Sequence, residues 1–286
     1  GAEAGVYDDA GRQVLLRGVN LNHLGDYFQS HPALPTVADL DDTDWDDLAA
    51  DGMNVVRLVT NWSAWEPERD ELDPTYSAKV HAAVDAANER GIYVVIDMHQ
   101  DAWSKFVFTP AEEACPPGTR HQIGWDGAPS WATFTDGAPT CTPGSREQSP
   151  AVKTAWGAFY ANRDGVRDEL AELWGHIATE FADEPGVAGF DLLNEPGYSF
   201  SQDATLLGLA AFYRDAVREI RAAERRVEGR GHIVFFEPTV NGPFVAAGFS
   251  DDANLVFAPH NYAESIGPSL PGLLDLLTNA LQLLAD

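Results

Sequence analysis

Successive apolar runs in this chain end in residues that carry acid–base chemistry. The run from Val187 through Phe190, Leu192 and Leu193 ends in Asn194-Glu195-Pro196. It reads as a short strand buried on both faces, and it must stop at Pro196, which has no N–H to donate. That leaves Glu195 at the C-terminal end of a buried strand, a position suited to a catalytic acid. Other runs end alike. Residues 54–60 (NVVRLVT) carry Arg57, and 92–98 lead into Asp97, His99, Gln100 and Asp101. Residues 232–237 end in Glu237, and 255–260 lead into His260, Asn261 and Tyr262. Singly, each has a plain structural explanation. Arg57 can pair with an interior acid, His99 and His260 can be hydrogen-bonded core histidines, and Glu195 can merely terminate a strand. Together they argue for a site, because buried charges are costly unless paired.

The elements that must bring these residues together follow from periodicity. Strands are predicted over 14–21, 54–60, 92–98, the run ending at Leu193, 232–237 and 255–260, with a turn at Asp8-Asp9-Ala10-Gly11 before the first. Helices are predicted from Thr43 and Asp46 to Ala50 with a stop at Gly52, over 77–90 with Gly91 after it, over 151–181, over 203–227 and over 271–285. Residues 103–150 show no period and are rich in Pro, Gly and Thr, which marks a long inserted loop. Alternating strands and helices argue for one α/β domain over 1–286 with a parallel sheet. A doubly wound sheet and a (β/α)8 barrel both fit. No G-x-G-x-x-G follows the first strand, which favours the barrel. Six strands leave that barrel about a quarter short.

Composition narrows the partners. With 18 basic and 45 acidic residues in 286, the formal charge is −27. Such a chain repels polyanions, so no nucleic-acid partner is expected. No stretch reaches the ~18 apolar residues that span a bilayer. The two cysteines, Cys115 and Cys141, both lie in the inserted loop. A disulfide closing the loop is the preferred reading, with two free thiols the alternative; a disulfide implies a secreted protein.

Other chemistries find less support. Asp97, His99, Asp101 and His260 could ligate a metal, but no HExxH helix or calcium loop is present, and neither metal nor cofactor is expected. A serine hydrolase would need a G-x-S-x-G elbow, which is missing. Trp62, Trp65, Trp103, Trp125 and Trp131 follow strands or lie in the loop, where indoles can stack on sugar rings; at least two of the five are expected to be packing residues instead.

At these residues the chain resembles family 5 of the clan A glycoside hydrolases. The resemblance rests on Arg57, His99, Asn194-Glu195-Pro196 and His260-x-Tyr262. More closely, Asp97-Met98-His99-Gln100-Asp101 with Trp103-Ser104, the opening Arg17-Gly18-Val19-Asn20-Leu21 and the Cys-containing loop are similar to the endoglycoceramidases. The resemblance implies a (β/α)8 barrel that cleaves the β-glycosidic bond between oligosaccharide and ceramide with retention, using two carboxylates about 5 Å apart. It implies Glu195 as acid/base and Asn194 as partner of the sugar 2-hydroxyl. His99 would brace the site, Asp101 would contact sugar, and Arg57 and Tyr262 would lie near the nucleophile, with His260 in support. The family places its nucleophile at the end of a seventh strand, which is expected beyond residue 286. Glu237 is read as a site-wall or structural residue, and the chain as it stands is expected to be inactive. An endo-β-glucanase or another family 5 β-glycosidase is the alternative. Outside the enzymes, a non-catalytic glycolipid- or carbohydrate-binding module is the other. Phe106, Phe108 and Phe134 could line a lipid groove or pack under the loop.

Overall fold

The structure, a computed structural model, describes residues 5–8, 10–30, 36–240 and 248–261. Tyr262 and the helix predicted over 271–285 lie outside the described residues. Among the described residues, six parallel strands form one sheet: β1 (Gly18–Leu21), β2 (Val55–Thr60), β3 (Tyr93–Met98), β4 (Val187–Asp191), β5 (Ile233–Phe236) and β6 (Leu255–Phe257). Their spatial order is their order in the chain, and every neighbouring pair is parallel. A doubly wound sheet reverses its order at a switch point. Here each strand adds beside the one before it, which is the arrangement of a (β/α)8 barrel seen over six of its strands.

The two faces of the sheet differ in chemistry. Val56, Leu58, Val94, Ile96, Phe190 and Val234 alternate along their strands and are fully buried in one apolar core. They pack against helical residues such as Val80, Val84, Leu170, Trp174, Phe212 and Ile220. The intervening positions on β2, β3 and β4 put Arg57, Asp97 and Asp191 on the other face. Gly189 on β4 is required by close approach, because a Cβ there would lie 2.1 Å from the Ile233 carbonyl oxygen.

Local chemistry explains where the elements depart from the sequence prediction. Helix α1 (Asp42–Ala50) begins earlier than Thr43 and Asp46 suggest, because Asp41 and Asp44 form a reciprocal capping box. A single turn, α2 (Trp62–Trp65), follows β2 and has no counterpart in the predicted elements. Helix α3 (Pro74–Asn88) starts three residues before 77, capped by Asp73 with Pro74 in its first turn. The predicted 151–181 helix is two helices, α4 (Pro150–Tyr160) and α5 (Val166–Glu180). Asn162, Asp164 and Gly165 between them take positive φ, which a continuous helix cannot hold. Helix α6 (Gln202–Arg226) lies where 203–227 is predicted. The first strand shrinks to four residues, since Val14 instead donates to the Val6 carbonyl and closes the predicted turn.

Between β3 and α4 the inserted loop is tied by a disulfide joining Cys115 and Cys141 and by a two-way backbone pair between Arg120 and Thr142 (3.0 and 2.9 Å). A second tie joins the Thr109 N–H to the Gln122 carbonyl.

Candidate active site

Arg57 is the hub. Its Nε donates to Asp191 Oδ2 (2.8 Å), and its Nη2 donates to Asp97 Oδ1 (2.8 Å), Glu237 Oε1 (2.9 Å) and Asn194 Oδ1 (3.1 Å). Asp97 and Asp191 are register partners on adjacent strands. One guanidinium thus serves three buried carboxylates. Burial opposes the charge on Arg57, but Asp97, Asp191 and Glu237 outweigh it and raise its pKa. Burial pushes Asp191 up, against the pull of Arg57. It also pushes Glu237 to about 7, helped by the charge of Asp191 and opposed by His260 and Arg57.

The ends of β2, β3 and β4 are stitched to one another. The His99 N–H donates to the Thr60 carbonyl (2.7 Å) and the Asn194 N–H to the Met98 carbonyl (3.0 Å). Gln100 Nε2 donates to the carbonyls of Asn194 (2.8 Å) and Glu195 (2.9 Å), while its Oε1 accepts from the Trp103 N–H. Asn194 returns a bond from Nδ2 to the Gln100 carbonyl (3.1 Å). Glu195 itself sits at φ +39°, a left-handed conformation uncommon outside glycine. Its backbone N–H donates to Glu237 Oε2 (2.7 Å). His260 closes the ring: Nδ1 lies 2.9 Å from Glu195 Oε1 and Nε2 lies 3.0 Å from Glu237 Oε1. Burial opposes protonation of this ring, but its bonds to both glutamates prevail and raise it to about 10.

His99 Nδ1 lies 2.7 Å from Asp97 Oδ2. Burial again disfavours the cation, yet the Asp97 charge and bond, with Asp126, raise His99 to about 9 from 6.5. The folded protein therefore keeps a proton that the unfolded chain releases between those values. The resulting stabilisation is fully present below pH 6.5 and is lost as pH rises through about 9. We expect the stability gap between the parent and His99→Asn, measured by chemical denaturation, to shrink by about 3 kcal/mol between pH 6 and pH 10. A gap that stays constant would refute this.

The insertion supplies a second wall. Asp101 Oδ1 pairs with Arg146 Nη2, and Arg146 Nε donates to Glu147 Oε1 (2.7 Å). The Arg146 guanidinium lies over the Trp125 ring, 4.3 Å from its centroid. Burial raises Asp101 to about 6 in spite of Arg146 and His99. Fully buried Asp126 is pushed by burial to about 7, with His99 acting against and Asp101 adding to the rise; its Oδ2 accepts from Asn61 Nδ2 (2.8 Å). Tyr27, on the segment after β1, is raised to about 12 by burial, with the charges of Asp126, Asp101 and Asp97 adding to the effect.

The sequence-read residues Arg57, His99, Asn194, Glu195 and His260 are therefore in one bonded cluster, and Asp101 lies beside it, facing the insertion. Asp97, His99, Asp101 and His260 do not converge on one point as a metal set would: Asp97 and His99 meet, Asp101 turns to Arg146, and His260 turns to the two glutamates. Of the five tryptophans, at least two of which are expected to be packing residues, three are core residues. Trp62, Trp65 and Trp103 are at most 2% exposed, and Trp62 and Trp103 meet edge to face. Trp125 and Trp131 are half-buried. Sequence reading missed Asp191, Asp126, Tyr27, Arg146 and Glu147. Asp191 had a usable signal, a charge inside an apolar run and four residues before Glu195. The others lie on segments with no period.

A one-directional parallel sheet with a bonded Arg, His, Asn-Glu and His set at its strand ends defines a barrel of the glycoside hydrolase class. The chain belongs to the cellulase family, glycosyl hydrolase family 5, which it matches over residues 7–269. It is 30% identical over 275 residues to endoglycoceramidase I of Rhodococcus hoagii (strain 103S), covering 90% of this chain and 51% of that protein. Among solved structures it is similar to endogalactoceramidase (TM-score 0.89, 41% identity), covering 99% of this chain and 64% of the other. It is also similar to endo-glycoceramidase II from Rhodococcus sp. in its lactosyl-enzyme intermediate (TM-score 0.73, 27% identity), covering 98% of this chain and 63% of the other. The chain thus spans about half to two thirds of the length of these relatives.

Proposed function

We propose that the full-length protein is a retaining glycosidase that splits the β-bond between the glycan and ceramide of a glycosphingolipid, with Glu195 as acid/base. The observation that carries this reading is Glu195 at the end of β4, held by His260 and by its own N–H to Glu237, in a chain that follows endogalactoceramidase over nearly its whole length. Retention needs a second carboxylate as nucleophile. Glu237 is badly placed for that role. Its side chain is 1% exposed, Oε1 faces Arg57 and His260, and Oε2 accepts the Glu195 N–H. We assign it to holding the site together and the nucleophile to a seventh strand of the full-length protein. Arg57 Nη1 is buried without a hydrogen-bond partner among the described residues, so a donor is available to such a carboxylate. The lactosyl-enzyme form of endo-glycoceramidase II supports a covalent intermediate.

A lipid substrate is supported by apolar side chains on the insertion. Phe106, Phe108 and Ile123 are 43%, 40% and 56% exposed, whereas Phe134 packs against the core. The disulfide supports secretion, since such bonds persist outside the reducing cytosol.

The test is to offer the full-length protein a glycosphingolipid and, separately, cellulose. Release of the intact glycan together with ceramide supports the proposal. Reducing ends from cellulose with the glycolipid untouched would favour a glucanase. Binding of either without turnover would make the protein a carbohydrate-binding module.

A further inference from the structure

Arg146 is the cation that the inserted loop brings against Asp101. It sits five residues beyond Cys141, just after the Arg120–Thr142 pair. Thr142 Oγ1 donates to the Ser145 carbonyl (2.6 Å) and Arg120 Nη2 to the Gly144 carbonyl (2.6 Å), so the backbone leading to it is fixed. Its guanidinium plane is fixed as well, with Trp125 against one face, Asp101 at one end and Glu147 at the other. We infer that Arg146 is a positioning residue for sugar binding: it reaches from the disulfide-tied loop to hold the Asp101 carboxylate in the orientation that a sugar hydroxyl meets. This rests on the glycosidase reading above and adds to it a residue outside the strand-end set.

Planarity matters here. A guanidinium can lie on an indole and bond two carboxylates in its own plane, whereas a lysine ammonium cannot do all three. Charge matters too. Asp101 faces His99 at the end of β3, Glu195 at the end of β4, Tyr27 after β1, and Arg146, Glu147 and Asp126 from the insertion. Arg146 is the permanent cation in that group. Without it Asp101 binds its proton more tightly, so any loss of sugar affinity deepens as pH falls.

The test uses the full-length parent, Arg146→Gln, Arg146→Lys, Asp101→Asn and the double variant Arg146→Gln/Asp101→Asn. Calorimetry gives Kd for lactose, and glycolipid hydrolysis gives KM and kcat, each at pH 6 and pH 8. Arg146→Gln should weaken lactose binding and raise KM about tenfold at pH 8 and more at pH 6, with kcat nearly unchanged. Arg146→Lys should recover part of the loss. The double variant should bind no worse than Asp101→Asn, because both changes remove the same contact. Additive losses, a loss equal at both pH values, or parent-like affinity in Arg146→Gln would overturn the inference, as would a parent that does not bind lactose. A parent that binds lactose but leaves glycolipid intact would overturn the glycolipid reading, while the affinities still decide the role of Arg146.

Discussion

Glu195→Gln in the full-length protein should cleave glycosphingolipid about 10²–10⁴-fold more slowly than the parent. The amide keeps the shape of the side chain but cannot give a proton to the departing ceramide oxygen. The size of the effect follows from the leaving group, since an alkoxide of a lipid alcohol leaves poorly unless it is protonated. A dinitrophenyl glycoside of the same sugar supplies the control. Its phenolate leaves without a proton, so Glu195→Gln should retain a first-turnover burst on that substrate. A first-turnover rate on that substrate as slow as on glycolipid, with no burst, would remove Glu195 from the acid role and leave it a structural one. Parent-like glycolipid cleavage would sink the assignment outright.

Arg57→Ala should cost about 3–5 kcal/mol of stability, the range for stripping one partner from a buried ionic cluster. The reason is the number of groups that lose their partner. Asp97, Asp191 and Glu237 all depend on this guanidinium, and their side chains are 0–3% exposed. Asp191 Oδ1 already lacks a partner among the described residues. The loss should be smaller at pH 5 than at pH 8, because Asp191 and Glu237 are raised by burial and take up protons more readily once the cation is gone. Adding Asp191→Asn to Arg57→Ala should return part of the loss by removing one unpaired charge. Denaturant midpoints measure all of this, and a cost below about 1 kcal/mol would show that the cluster does not depend on Arg57.

The barrel and much of the site could be read in the sequence because both follow from a buried parallel strand. Such a strand is a short apolar run, and its inward positions and the residues just past its end face the site. That is why Arg57, His99, Asn194, Glu195 and His260 were found together. The misses have physical causes. The helix predicted over 151–181 keeps its apolar residues across the break, so periodicity could not reveal the left-handed Asn162, Asp164 and Gly165. Trp62, Trp65 and Trp103 sit after strands, where sugar platforms are expected, but the α2 turn and the left-handed Ala102 and Trp103 carry their indoles into the core. Asp126, Arg146 and Glu147 come from a segment whose position is set by a disulfide and cross-loop bonds, which no local pattern reports.

The His260 ring touches Glu195 with one nitrogen and Glu237 with the other, and Glu237 accepts in turn from Arg57, which also holds Asp97 beside His99. This chain of contacts joins side chains from five strands and the residues just past their ends, β2 through β6, so the charge on each group bears on the next. A pH–rate curve for the full-length protein is therefore expected to report coupled groups such as His260 and Glu237 together rather than one residue alone. On the proposed reading of Glu195 as the acid, its surroundings are set through His260 and Glu237 by residues that never touch the substrate.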